Sequence, residues 1–221
     1  MNEFQPMDRS SLYDGVYARI ARALSEGTLK PDDKLRIRTL SDQLGVSVTP
    51  VRDAILRLVE AHALEWRGPK DIRVPRMTAR QLGEVRLIRL RLEGLAARRA
   101  AEAGDLEGLV MLERILAENE VARAEGDVAA AVRLNRQFHF QISEAAGMPV
   151  LQGMIQSLWL RMGPLIASVY AIGGETMIRH HYDIIRAIEA GDGDAADAAI
   201  QADINAAAHF FEASGVLAAA D

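Results

Sequence analysis

Cysteine is absent from all 221 residues, which excludes disulfides and any chemistry that runs through a thiolate. Lysine is nearly absent too: Lys30, Lys34 and Lys70 are the only three, all in the first third of the chain. Aromatic residues make up only 5%, so a core must be assembled mainly from aliphatic side chains. No uninterrupted apolar run approaches the roughly 18 residues a membrane span needs, and the opening MNEFQPMDRS has no apolar centre of the signal-peptide kind. These absences give the expectation of a cytoplasmic protein with no membrane contact. Catalytic motifs are missing as well: there is no Glu-x-x-His pair, no His-Glu-x-x-His, no Gly-x-Ser-x-Gly and no phosphate loop.

What remains is 49% apolar and 26% charged, the balance of a globular chain long enough for two domains. The net charge of −5 is unevenly spread. Residues 1–77 carry 13 Lys+Arg against 11 Asp+Glu, whereas residues 78–221 carry 13 against 20. That asymmetry suits a module that meets nucleic acid joined to one that does not.

Apolar residues at helical spacing, Leu12, Val16, Ile20 and Leu24, predict a first helix that Gly27 stops before a turn at Pro31-Asp32-Asp33. A short helix over Thr39–Leu44 ends at Gly45. A third follows with Thr49 as N-cap and Pro50 in the first helical position. Two helices across so tight a turn have helix-turn-helix spacing. The free N–H groups of the third helix favour phosphate. Ser47 and Thr49 hydroxyls can bond phosphates or base edges, and Arg52 and Arg38 can reach guanine. The run Leu64–Val74 reads as a β-hairpin wing, with Arg67, Lys70 and Arg73 placed for a backbone or minor groove. Pro75 and Arg76 mark the boundary. Beyond Thr78 come six alanine- and leucine-rich helices of about 15–25 residues, broken at glycine pairs and Gly-Asp steps, best packed as an antiparallel bundle. Gly163-Pro164 should kink or end the helix that starts near Val150.

In that frame Asn135 and His139, four residues apart in LNRQFHF, share one helical face. Arg89 and Glu93 do likewise. On residues alone, His139 reads as a hydrogen-bonded core histidine. Arg89 either binds an effector carboxylate bidentately or simply pairs with Glu93.

The text GTLKPDDKLRIRTLSDQLGVSVTPVRDAILRLVEAHAL resembles the winged helix-turn-helix domain of the GntR family of bacterial transcription regulators. Gly27, Leu29, Pro31, Leu35, Leu40, Leu44, Gly45-Val46-Ser47, Thr49-Pro50-Val51-Arg52 and Ala54 carry the resemblance. Asp32 stands where the family usually has glycine, Val48 replaces the usual arginine and Asp53 the usual glutamate. The loss of that arginine bears on which operator is read. The resemblance implies a DNA-binding surface of Arg38, Ser47, Val48, Thr49, Pro50, Arg52, Arg67 and Lys70. Residues 80–215 are similar, more loosely, to the all-helical FCD-type effector domain of the FadR-like branch. The similarity rests on Arg89–Glu93 with its alanine run, Asn135 through His139, Ala145–Pro149, and His181 through Gly191-Asp192.

That second resemblance implies a cavity holding a divalent metal. Its usual aspartate and three histidines become Asn135, His139, His181 and Asp203 here. Two imidazoles and a carboxylate suit a zinc, nickel or manganese-like ion; the alternative is a metal-free pocket whose polar groups bond the effector directly. Effector-binding residues would be Arg89, Asn135, His139 and His181. The expectation is a mainly α protein. A winged helix-turn-helix domain at 8–76 precedes an all-helical effector and dimerisation domain at 78–215. It would be a homodimer that reads a roughly palindromic operator and acts as a repressor answering to a small organic acid. The competing class is a metal-dependent enzyme of the bundle acting on a small carboxylate.

Overall fold

The computed structural model describes residues 10–68, 70–173 and 177–218. The first described element is α1 (Ser10–Ser25), whose buried face of Val16, Ile20 and Leu24 follows the expected spacing. Then come β1 (Lys34–Leu35), α2 (Ile37–Leu44), α3 (Val48–Glu60), β2 (Glu65–Gly68) and β3 (Asp71–Arg73). The hairpin is present, but it belongs to a three-stranded antiparallel sheet of order β1-β3-β2, with Leu35 opposite Ile72. A strand of two residues is too short to leave a periodic signal in the sequence. The Pro69 of the predicted turn lies outside the described residues.

Two boundaries in the helix-turn-helix differ from expectation. Helix α2 begins at Ile37, and the N-cap of α3 is Ser47 rather than Thr49, which puts Pro50 in the third helical position. Proline is tolerated there because the first N–H groups of a helix have no internal acceptor anyway. Between the helices Gly45 takes φ 66°, a left-handed cap that turns the chain back. Val46 N–H then bonds Ser41 O at 3.1 Å, and Ser41 Oγ donates to Val46 O at 2.5 Å. Val51, Ala54, Ile55 and Leu58 of α3 are fully buried against α1 and the sheet.

Asp32, which stands where the resemblance expects glycine, takes φ 71°, the left-handed region that favours glycine. Its N–H bonds Val74 O at 2.9 Å and its carboxylate accepts from Arg76 Nε at 2.5 Å. Left-handed backbone costs about 1–2 kcal/mol for a residue with a Cβ, less for aspartate. Asp32→Ala is therefore expected to be about 1 kcal/mol less stable than Asp32→Gly, read from urea unfolding midpoints.

The second part contains α4 (Ala79–Ala103), α5 (Leu106–Ala124), α6 (Val128–Ala145), α7 (Pro149–Gly173), α8 (Arg179–Glu189) and α9 (Gly193–Ala213). A capping box between Thr78 and Gln81 starts α4. At each Gly-Asp step glycine closes one helix and aspartate opens the next. Asp105, Asp127 and Asp192 accept hydrogen bonds from the N–H of Gly108, Ala130 and Ala195. Helix α8, at 11 residues, is shorter than expected. The break at Gly173-Gly174 lies at the edge of the described residues. Helix α7 runs through Pro164 without ending. Within the bundle α4 packs most extensively on α9, α5 on α6, and α8 on α9. No described helix is long and apolar enough to cross a membrane.

Helix α7 also fastens the two parts together. Among the described residues, Leu160 is the one bundle residue in the buried cluster around α1, α3 and the sheet. Arg161 Nε donates to Ala61 O, just past the end of α3, at 3.0 Å. Gly163 lets α7 approach α1 closely, because a Cβ there would fall 2.3 Å from Leu24 O and 2.5 Å from Ser25 Cα. From α6, Arg136 pairs with Glu26 at 2.9 Å.

Candidate DNA-reading face and metal centre

The first turn of α3 is open to solvent. Ser47, Thr49 and Arg52 are exposed, as is Arg38 on α2, and Val48 is 41% exposed. Ser47 makes no side-chain cap to its helix, so its hydroxyl and the N-terminal N–H groups are available to an anion. Among the described residues Arg38, Arg52 and Lys70 have no carboxylate within ion-pair distance, whereas Arg67 pairs with Glu65 at 2.8 Å. That pair is about half exposed, the kind worth little in water and readily exchanged for a phosphate. Two expectations change. Pro50 is buried, so it shapes the helix start instead of presenting a contact. Arg73 is tied to Asp71 at 2.9 Å and reaches back to Asp32 O. Val48 can offer only apolar contact, of the kind a thymine methyl accepts.

In the bundle, residues from three helices meet. His139 from α6, His181 from α8 and Asp203 from α9 bring their ligating atoms within 4.8 Å of one another, and all three are buried. His139 Nε2 stands 3.5 Å from Asp203 Oδ2, and His181 Nε2 stands 3.6 Å from Asp203 Oδ1. These separations are long for hydrogen bonds. They match donor atoms around one ion, since bonds of about 2.0–2.2 Å hold tetrahedral ligands roughly 3.3–3.6 Å apart. The buried His181 Nε2 has no hydrogen-bond partner among the described residues. Its ring lies stacked on Phe138 at 4.0 Å, which fixes its direction. Asn135 lines a small chamber together with His139 and Asp203.

The electrostatics agree with ligand duty. Burial, with His139 and His180 nearby, pushes His181 well below the usual imidazole range, so it is a neutral donor. Burial pushes Asp203 up, against the pull of His139 and Arg89. A cation at this point would relieve the burial of that carboxylate.

Glu93 plays a larger part than its i, i+4 spacing with Arg89 announces. From α4 it accepts Arg89 Nε and Nη2 at 2.5 and 3.2 Å, His139 Nδ1–H at 2.9 Å and Trp159 Nε1–H at 3.3 Å. Burial pushes its pKa up, but Arg89 and His139 outweigh that and hold it down to about 2, so the carboxylate stays ionised. An ionised acceptor at Nδ1 orients the His139 ring, and a metal held through Nε2 would fix the tautomer with its proton on Nδ1. Arg89 is thus tied to Glu93 through Nε and Nη2 and lies over the Trp159 ring, 5.0 Å from its centre. Neither Trp159 nor the role of Glu93 had a motif to announce it; only the spacing of Arg89 and Glu93 hinted at the pair. The chamber lined by Arg89, Asn135, His139 and Asp203 holds about 10 Å³. That is room for an ion or one water and for no organic molecule.

Comparison with known proteins agrees with both halves. Residues 12–74 match the family described as bacterial regulatory proteins, gntR family, and residues 84–206 match the FCD domain. The chain is 36% identical over 190 residues to the HTH-type transcriptional regulator McbR of Escherichia coli K12, covering 84% of this chain and 86% of that one. It is 24% identical over 202 residues to the HTH-type transcriptional repressor RspR of the same organism, covering 90% and 86%. The solved structure of E. coli McbR/YncC superposes with a TM-score of 0.85 at 32% identity, over 92% of this chain and 98% of that one.

Proposed function

The chain belongs to the GntR family of bacterial regulatory proteins, and from that membership we propose that it works as a homodimeric, metal-bearing repressor answering to a small organic acid. It is a transcriptional regulator with an FCD effector domain, and its relatives and fold neighbours are regulators, not enzymes. The finer reading has separate supports. A two-fold dimer would set two α3 helices one DNA turn apart, which calls for a roughly palindromic operator. Repression is supported by the similarity to RspR, which is named a repressor. The expected domain limits, 8–76 and 78–215, enclose the two matched segments. The expectation of a cytoplasmic protein goes with this role.

The observation that carries the metal reading is the unpartnered, neutral His181 Nε2 facing Asp203 beside His139. His139, His181 and Asp203 would hold the ion, with Asn135 as a fourth and weaker oxygen donor. A bound divalent ion supplies a positive centre that attracts a carboxylate. Glu93 orients His139 for that task, and Arg89 neutralises Glu93. An organic acid reaching the ion beside Arg89 and Asn135 would have to widen the chamber, and that widening would couple acid binding to the helices around it.

On the DNA side, Arg52→Ala is expected to weaken operator binding by about 1–3 kcal/mol and to relax specificity at one base position. Lys70→Ala should weaken binding to all sequences alike and flatten the salt dependence. Fluorescence anisotropy against the native operator and single-base variants checks both. Equal affinity of Arg52→Ala and native protein for the operator would remove Arg52 from the reading surface.

A further inference from the structure

Between the wing and the bundle lies a cleft of about 640 Å³, bounded by the end of α3, the sheet, the linker and the middle of α7. It falls within the size range of small-molecule sites, and domain junctions are where such sites concentrate. Its walls mix apolar surface from Val74, Met77, Leu160 and Pro164 with charged groups. Most of those charges are already matched: Arg67 with Glu65, and Arg76 with Asp32. Two remain unmatched among the described residues. Glu84 is exposed. Arg161 is half-buried, and only its Nε is committed, to Ala61 O. Among the described residues its two terminal nitrogens form no ion pair, although Glu84 stands on the same cleft wall.

We propose that this cleft is a binding site for a small carboxylate with an apolar body, the carboxylate seated on the Arg161 guanidinium and the body against Leu160, Pro164 and Val74. A half-buried guanidinium with free nitrogens in a fixed fork is suited to bind a carboxylate in this way. The apolar walls select against a bare inorganic anion. The site is separate from the metal chamber, which lies on the inner side of α7 and holds no organic molecule at its present volume. Arg161 also grips the carbonyl at the end of α3, so a ligand on it bears on the recognition helix directly. This reading extends the effector role proposed above and stands apart from the metal reading.

The test is calorimetric titration of the full chain with 1-naphthoate, in the presence of a chelator. One naphthoate per chain is expected. Arg161→Gln should weaken it about tenfold or more, the cost of one charge-assisted pair. Glu84→Trp, which fills the cleft from its solvent side, should block binding. Glu84→Gln should tighten it by about twofold, since it removes a like charge near the carboxylate. Inorganic phosphate at the same concentration should not compete. Unchanged affinity in Arg161→Gln, loss of binding on chelation alone, effective competition by phosphate, or no binding at all would each overturn the proposal. Native protein that shifts its operator yet ignores naphthoate refutes the cleft site and leaves the regulator reading intact.

Discussion

Glu93→Ala is expected to cost the chain about 3–5 kcal/mol of stability, the usual penalty for stranding one member of a buried ion pair. Glu93 and Arg89 are only 3% and 4% exposed, and removing the carboxylate leaves a guanidinium with nothing but an aromatic face beside it. The same change frees Trp159 Nε1–H and His139 Nδ1–H, two further buried donors. Urea unfolding monitored by Trp fluorescence and circular dichroism measures the loss. The double change Arg89→Met with Glu93→Leu removes both charges and should recover much of it. A single change that costs less than about 1 kcal/mol would mean the charge is solvated, contrary to the burial described.

His181→Ala is expected to reduce divalent-metal affinity by about 100-fold or more, because even groups one shell removed from a metal cost 10–100-fold when lost. His181 is buried and already neutral, so alanine removes a donor without exposing a charge. Competition with a chromophoric chelator for zinc, nickel and manganese gives the affinities and ranks the ions. Asn135→Asp should act in the opposite direction, tightening the ion by about tenfold as a carboxylate replaces an amide oxygen. A melting temperature that rises with added metal in native protein and not in His181→Ala would carry the same result into stability. Equal metal affinity in native protein and His181→Ala would remove the chamber from metal duty.

The sequence disclosed the two functional faces better than the structure joining them. The order of Leu40, Leu44, Gly45 and Pro50 is local, so it places the helix-turn-helix without long-range information. His139, His181 and Asp203 come from three helices, and only a family pattern could pair them; the structure brings their ligating atoms together. What stayed hidden is tertiary. Glu93 earned its role from neighbours on α6 and α7, invisible at i, i+4 spacing. Gly163-Pro164 reads as a helix break by local rules. Yet α7 continues through it, because Gly163 is where α1 packs against the helix and Leu160 is buried in the other domain's core. Strand β1 is held by its register with β3 and by no preference of its own two residues.

The most direct test of the account is footprinting of the full chain on the DNA upstream of its own locus, with excess nonspecific competitor at moderate salt. The account predicts one protected region of two inverted half-sites about one helical turn apart. Protection should require more protein in Arg52→Ala and be altered when metal and an organic acid are added together. Uniform, salt-sensitive binding with no protected sequence, identical in native protein and Arg52→Ala, would contradict it.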